Sequence, residues 1–77
     1  MFDRGEILLL KEHVFGTTVW EPDLNTVADS LESHEYVTVL EQSDGYGWTC
    51  ILTPRGKVGL VHKNNLRRSV QSHSQML

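Results

Sequence analysis

A chain of 77 residues is one domain near the lower size limit for a core that folds unaided. Apolar content of 39% with 22% charged residues excludes a disordered chain, and the single cysteine, Cys50, excludes an internal disulfide framework or a cysteine-based metal cluster. The net charge of −3 is unevenly placed: residues 1–45 hold all ten acids against Arg4 and Lys11, whereas residues 46–77 hold Arg55, Lys57, Lys63, Arg67 and Arg68 and no acid.

Near the N-terminus the only apolar run is Ile7-Leu8-Leu9-Leu10, with Asp3 and Glu6 before it. It is too short and too acidic for a signal peptide and far too short to span a bilayer. With no disulfide staples, this favours a cytoplasmic setting and no membrane partner. Glu6–Leu10, continuing toward Val14, is predicted as the first strand. Trp20-Glu21-Pro22-Asp23-Leu24-Asn25 breaks the pattern with proline and turn formers, so a long loop is expected from there. Val27–Ser33 fits a helical turn, with Val27 and Leu31 four apart, or an acidic loop anchored inward by Leu31. The loop is preferred, because so short a helix is marginal alone.

Tyr36-Val37-Thr38-Val39-Leu40 is the clearest strand, β-branched and alternating, with Val37 and Val39 on one face. Gln42–Gly47 is a polar connection. Trp48–Thr53 is the third strand, ended by Pro54, which cannot donate to a ladder. Arg55-Gly56 supplies a hairpin reversal. Val58–His62 is the fourth strand, Lys63-Asn64-Asn65 a tight corner, and Leu66–Val70 a short last strand. Residues 71–77 are polar and expected to form a disordered tail. The initial Met and this tail favour, as an expectation, a whole protein over an excised domain, with both readings open.

Five short strands with no credible long helix predict an all-β fold, a small five-stranded barrel over residues 1–70 with a long acidic first loop. The expected core is Ile7, Leu9, Leu31, Val37, Val39, Ile51, Val58, Val61 and Leu66.

Residues 31 to 70 resemble a Src-homology-3 domain. Leu31 through Glu41, LESHEYVTVLE, is similar to the segment in which a leucine ends the long loop and the second strand begins. Asp44-Gly45-Tyr46-Gly47-Trp48 resembles the family's D-x-G-W opening of the third strand. Gly59-Leu60-Val61-His62-Lys63-Asn64-Asn65-Leu66 resembles its G-Y-I-P-S-N-Y-V corner. The first strand lacks the A-L-Y-D-Y motif, His62 stands at the family's groove proline, and Asn65 stands at its last groove tyrosine. The resemblance implies binding of an extended peptide across aromatic ridges, with an acidic loop catching a basic residue. Here that loop carries Glu21, Asp23, Asp29, Glu32 and Glu35. Divergent members of the family serve as adaptor or structural modules in bacterial and viral proteins, so a phage or bacterial protein is expected.

Strand parity puts Thr49 and Ile51 inward and Trp48 outward, beside the acidic loop. A half-exposed tryptophan offers a large apolar area and one N–H donor. The expected partner-binding set is therefore Trp48, Tyr46, Glu21, Asp23, Glu35, His62 and Asn65. Trp20 and Phe15 are expected to pack the loop onto the barrel. The four histidines, His13, His34, His62 and His73, lack metal-ligand spacing, so no metal or cofactor is expected. No histidine–acid arrangement surrounds Cys50, and no phosphate loop or nucleophile elbow appears, so the chain does not read as an enzyme. The leading expectation is a noncatalytic module that binds a peptide or protein. A structural or assembly component, self-associating through its segregated charge, is the alternative. Nucleic-acid binding through the basic group with Tyr46 or Trp48 ranks third, since the domain is acidic overall.

Overall fold

The computed structural model describes residues 2–42 and 45–69. These form β1 (Ile7–Leu10), β2 (Gly16–Trp20), β3 (Val27–Glu32), β4 (Val37–Glu41), β5 (Trp48–Leu52), β6 (Val58–His62) and β7 (Leu66–Arg68), with one 3₁₀ turn at Lys63–Asn65. All seven strands pair antiparallel in one sheet, in the order β3-β2-β6-β5-β4-β1-β7. No helix among the described residues is long and apolar enough to cross a membrane.

The fold is all-β, with seven strands where the sequence suggested five. The two extra strands come from the segment expected to be a loop. β2 and β3 form a hairpin whose register runs from Gly16↔Glu32 to Trp20↔Val27 with a bulge near its tip. Val27–Ser33 lacks strict alternation, which hid the strand, and its pairing with β2 overrides that weak local pattern. β1 is also shorter than expected, because the chain turns after Leu10 with the Val14 N–H donating to the Lys11 carbonyl at 2.9 Å. The expected tail, residues 71–77, lies outside the described residues, as does Val70.

Every strand contributes to one core: Leu8 and Leu10, Val19, Leu31, Val37 and Val39, Ile51, Val61, and Leu66. A sheet whose seven strands share one interior must curl around it. The bulges between Val19 and Trp20 and between Val39 and Glu41 supply local bending. Two expected core residues point outward instead. Ile7 is opposite Thr38 and Val58 is opposite Leu52, so both share the face away from Val37, Val39 and Ile51. The inward places fall to Leu8 and Gly59, one residue later in each strand. Leu9 is buried but stands apart from the main cluster.

Gly59 explains how the β2–β3 hairpin reaches that core. A Cβ at Gly59 would lie 2.5 Å from Val19 Cγ1 and 2.7 Å from the Trp20 carbonyl oxygen. Hairpin and β6 therefore cross at a distance only glycine permits. Gly59→Ala should cost about 1–3 kcal/mol or more, since the Trp20 backbone must move. Ile51→Ala should cost about 2–5 kcal/mol through the cavity it leaves. Urea unfolding of both variants checks this, and a Gly59→Ala protein as stable as wild type would contradict the crossing.

Candidate functional site

At the open end of the β5–β6 hairpin, Trp48 pairs across the strands with His62. Thr49 and Ile51 are fully buried, so parity turns Trp48 outward, where it is half-buried. The indole and imidazole meet edge to face, with centroids 5.2 Å apart and planes at 81°. Such a pair holds the indole more firmly than either ring alone.

The approach to β5 is shaped around the same imidazole. Gly47 has φ 93°, and a Cβ there would lie 2.9 Å from His62 Cε1 and Nε2. The Gly47 carbonyl accepts from the Lys63 N–H at 2.8 Å, tying this turn to the 3₁₀ corner. His62 Nδ1 accepts from the Asn64 N–H at 3.2 Å. A nitrogen that accepts carries no hydrogen, so the neutral ring bears its proton on Nε2. Nε2 lies 3.0 Å from the Tyr46 carbonyl oxygen and donates to it. The imidazole thus holds Tyr46 by its carbonyl, while the residue itself is 84% exposed. Asn65 closes the corner, its carbonyl accepting from the Lys11 N–H at 2.9 Å.

The structure thus brings together Tyr46, Trp48 and His62, with Asn65 on the adjoining corner. The acidic members of the expected set lie elsewhere or are occupied. Asp23 builds the β2–β3 turn: its carboxylate accepts from the Asn25 N–H at 2.8 Å, the Thr26 N–H at 2.9 Å and the Thr26 hydroxyl at 2.8 Å. These bonds, the Asn25 N–H first, hold its carboxyl below the usual range. Glu21 flanks the same turn through its backbone, donating to the Thr26 carbonyl at 2.8 Å.

Glu35 and Asp29 are taken by Arg55, which lies in the turn at the far end of the β5–β6 hairpin from Trp48. Arg55 Nε donates to Asp29 Oδ2 at 3.0 Å and Nη2 to Glu35 Oε1 at 3.0 Å. Nη2 also donates to the Ser30 carbonyl. Glu35 closes its own turn as well, accepting from the Glu32 N–H at 3.0 Å while its N–H donates to the Glu32 carbonyl. One guanidinium therefore fastens β3, the turn after it and the β5–β6 turn. The sequence carries no signal for this, since the partners lie 20 to 26 positions apart.

The remaining candidates are dispersed. Arg68 of β7 pairs with Glu6, just before β1, and stands 5.1 Å from the centroid of the Phe2 ring. Arg67 Nε donates to the Leu10 carbonyl. Lys57 and Lys63 flank opposite ends of β6, so the five basic residues do not line one stripe. Cys50 faces outward between Glu41 and Leu60 in the register. Burial first, and Glu41 second, push its thiol up, which disfavours the nucleophilic thiolate. His34 faces Glu32 at 3.9 Å on the exposed surface. Among the described residues, no three histidine, cysteine or acidic side chains group as metal ligands. His73 and Asp44 lie outside the described residues. Phe15 is 82% exposed and does not pin the hairpin, whereas Trp20 is half-buried opposite Leu60. Compared with known proteins, the chain matches no family model, no curated protein and no solved structure.

Arg55, with the Glu32 N–H second, lowers the Glu35 carboxyl from its ordinary 4.5 to about 2. A lowered folded-state value stabilises fully above the ordinary one and is lost as pH falls through the folded one. Asp29 shifts the same way, through the Ser30 N–H first, then the Thr53 hydroxyl, with Arg55 a smaller contributor. Arg55→Met should lower the urea midpoint at neutral pH and flatten the loss of stability between about pH 4.5 and 2. An unchanged acid limb in urea unfolding across that range would contradict the clamp.

Proposed function

We propose that this chain is a noncatalytic interaction module, a divergent Src-homology-3-like barrel that holds a protein segment against Trp48, Tyr46 and the His62–Asn65 corner. Support for the fold assignment comes from the order of parts. The β4-β5-β6 meander, a tight corner at Lys63–Asn65 and a short last strand follow one another in the order the resemblance implies, whereas a hairpin stands where it implies a long loop. The observation that carries the functional reading is the outward Trp48, gripped edge-on by His62 beside an exposed Tyr46. Aromatic anchors already ordered before binding lose little entropy when a partner covers them.

The weight of this reading falls on the aromatic–imidazole patch, because Asp29 and Glu35 spend their charge on Arg55. Segregated charge offers little support for assembly with other copies, since Arg55 and Arg68 find carboxylates within their own chain. The noncatalytic assignment is supported by the Cys50 thiol, which burial keeps protonated.

Amide and indole resonances of the labelled protein, followed during addition of proline-rich and of basic peptides, test the site. Shifts at Tyr46, Gly47, the Trp48 indole and His62 are expected, with Trp48→Ala weakening binding by about 30-fold or more, corresponding to the roughly 2 kcal/mol of an anchor residue. Peptides that leave those resonances unmoved, or bind the variant equally well, would overturn the assignment.

A further inference from the structure

We propose that His62 is a proton-responsive latch between the Tyr46–Trp48 turn and the 3₁₀ corner. The inference concerns the free protein and stands whether or not Trp48 takes a peptide. His62 is the residue just before the 3₁₀ turn, and its Nδ1 supplies the acceptor for the Asn64 N–H at 3.2 Å. At the opposite edge of the ring, Nε2 reaches the Tyr46 carbonyl at 3.0 Å. The two bonds place different demands on protonation. The Tyr46 bond needs a hydrogen on Nε2, which both the neutral ring and the imidazolium provide. The Asn64 bond needs a lone pair on Nδ1, which only the neutral ring provides.

Protonation therefore breaks one bond and spares the other. The new Nδ1–H points at another N–H, and Asn64 loses its acceptor at the start of the corner. The ring has little room on the side of the turn, where a Cβ at Gly47 would lie 2.9 Å from Cε1 and Nε2, and Trp48 packs edge to face beside it. Relaxation falls on the corner instead, on Lys63, Asn64 and Asn65, and through the Asn65 carbonyl on the Lys11 N–H at the end of β1.

Among the described residues, the ionisable groups packed around the ring are few. Tyr46 lies in the turn on one side, and Lys63 follows on the corner, with its side chain against the same Gly47. Glu41 and Cys50 occupy the next row of the outward face. Arg67 on β7 is directed to the Leu10 carbonyl. His13 and His34 lie on other segments and serve as internal controls.

Two measurements on the intact protein decide the matter. Long-range imidazole nitrogen spectra at high pH should show His62 with its proton on Nε2. A pH titration of backbone amides should then move Asn64 with the midpoint of the His62 ring and no other histidine, with a smaller Asn64 protection factor below it once the intrinsic pH dependence of exchange is divided out. In His62→Gln the Asn64 titration should vanish while the His34 ring signals follow the same pH curve as in wild type. A neutral ring protonated on Nδ1, or an Asn64 amide that stays flat through the His62 midpoint, would overturn the latch. Both wild-type readouts stand even if the variant folds poorly.

Discussion

The fold depends on the crossing at Gly59. β6 needs an inward residue there, opposite Ile51, yet the β2–β3 hairpin must pass close enough to bring Val19 and Leu31 into the same core. Any side chain would hold the hairpin off, and two of the nine core residues would be left without their neighbours. A domain this small has no second core to compensate. Arg55 acts on the same junction from outside, tying β3 and the turn after it to the β5–β6 turn. Glycine permits the approach, and the guanidinium fixes it.

Charge placement along the chain takes on a simple meaning in this arrangement. Acids fill the N-terminal half because the residue before β1, the hairpin and its following turn present carboxylates. Bases fill the C-terminal half because the β5–β6 turn and β7 present guanidinium groups. The long-range pairs Arg55 with Asp29 and Glu35, and Arg68 with Glu6, join the two. Exposed pairs contribute little singly, but Arg55 meets two well-covered carboxylates and a carbonyl together, which favours a network over a loose contact.

Much of the C-terminal half was legible in the residues. Alternation fixed the faces of Val37, Val39, Thr49 and Ile51, Gly56 marked the hairpin reversal, and Lys63–Asn65 read as a corner. The outward Trp48 followed from parity alone. The N-terminal half was harder for physical reasons. Ile7-Leu8-Leu9-Leu10 is apolar at every position, so no period told inward from outward. In the C-terminal half Val58-Gly59 misled, because the inward place belongs to a residue with no side chain. β3 carries Asp29 and Ser30 where a strand pattern would want alternation, and only its pairing with β2 makes it one. Local pattern could not reveal that Asp23 and Glu35 serve turns and a clamp. Nor could it show that Gly47 and His62 interlock, since that depends on two strands meeting.

The bond from Arg55 to the Ser30 carbonyl has a consequence beyond holding the junction. β3 forms one rim of the sheet, and a rim strand with free carbonyls and amides is a template on which another chain can add by backbone pairing. Here one of those carbonyls is occupied by a cation that a docking chain would have to displace, together with its two carboxylates. The opposite rim, β7, is only three residues long and carries Arg67 and Arg68. Both borders are thus guarded by arginine, and stacking of copies edge to edge into fibrils is disfavoured by the same residues that close the fold.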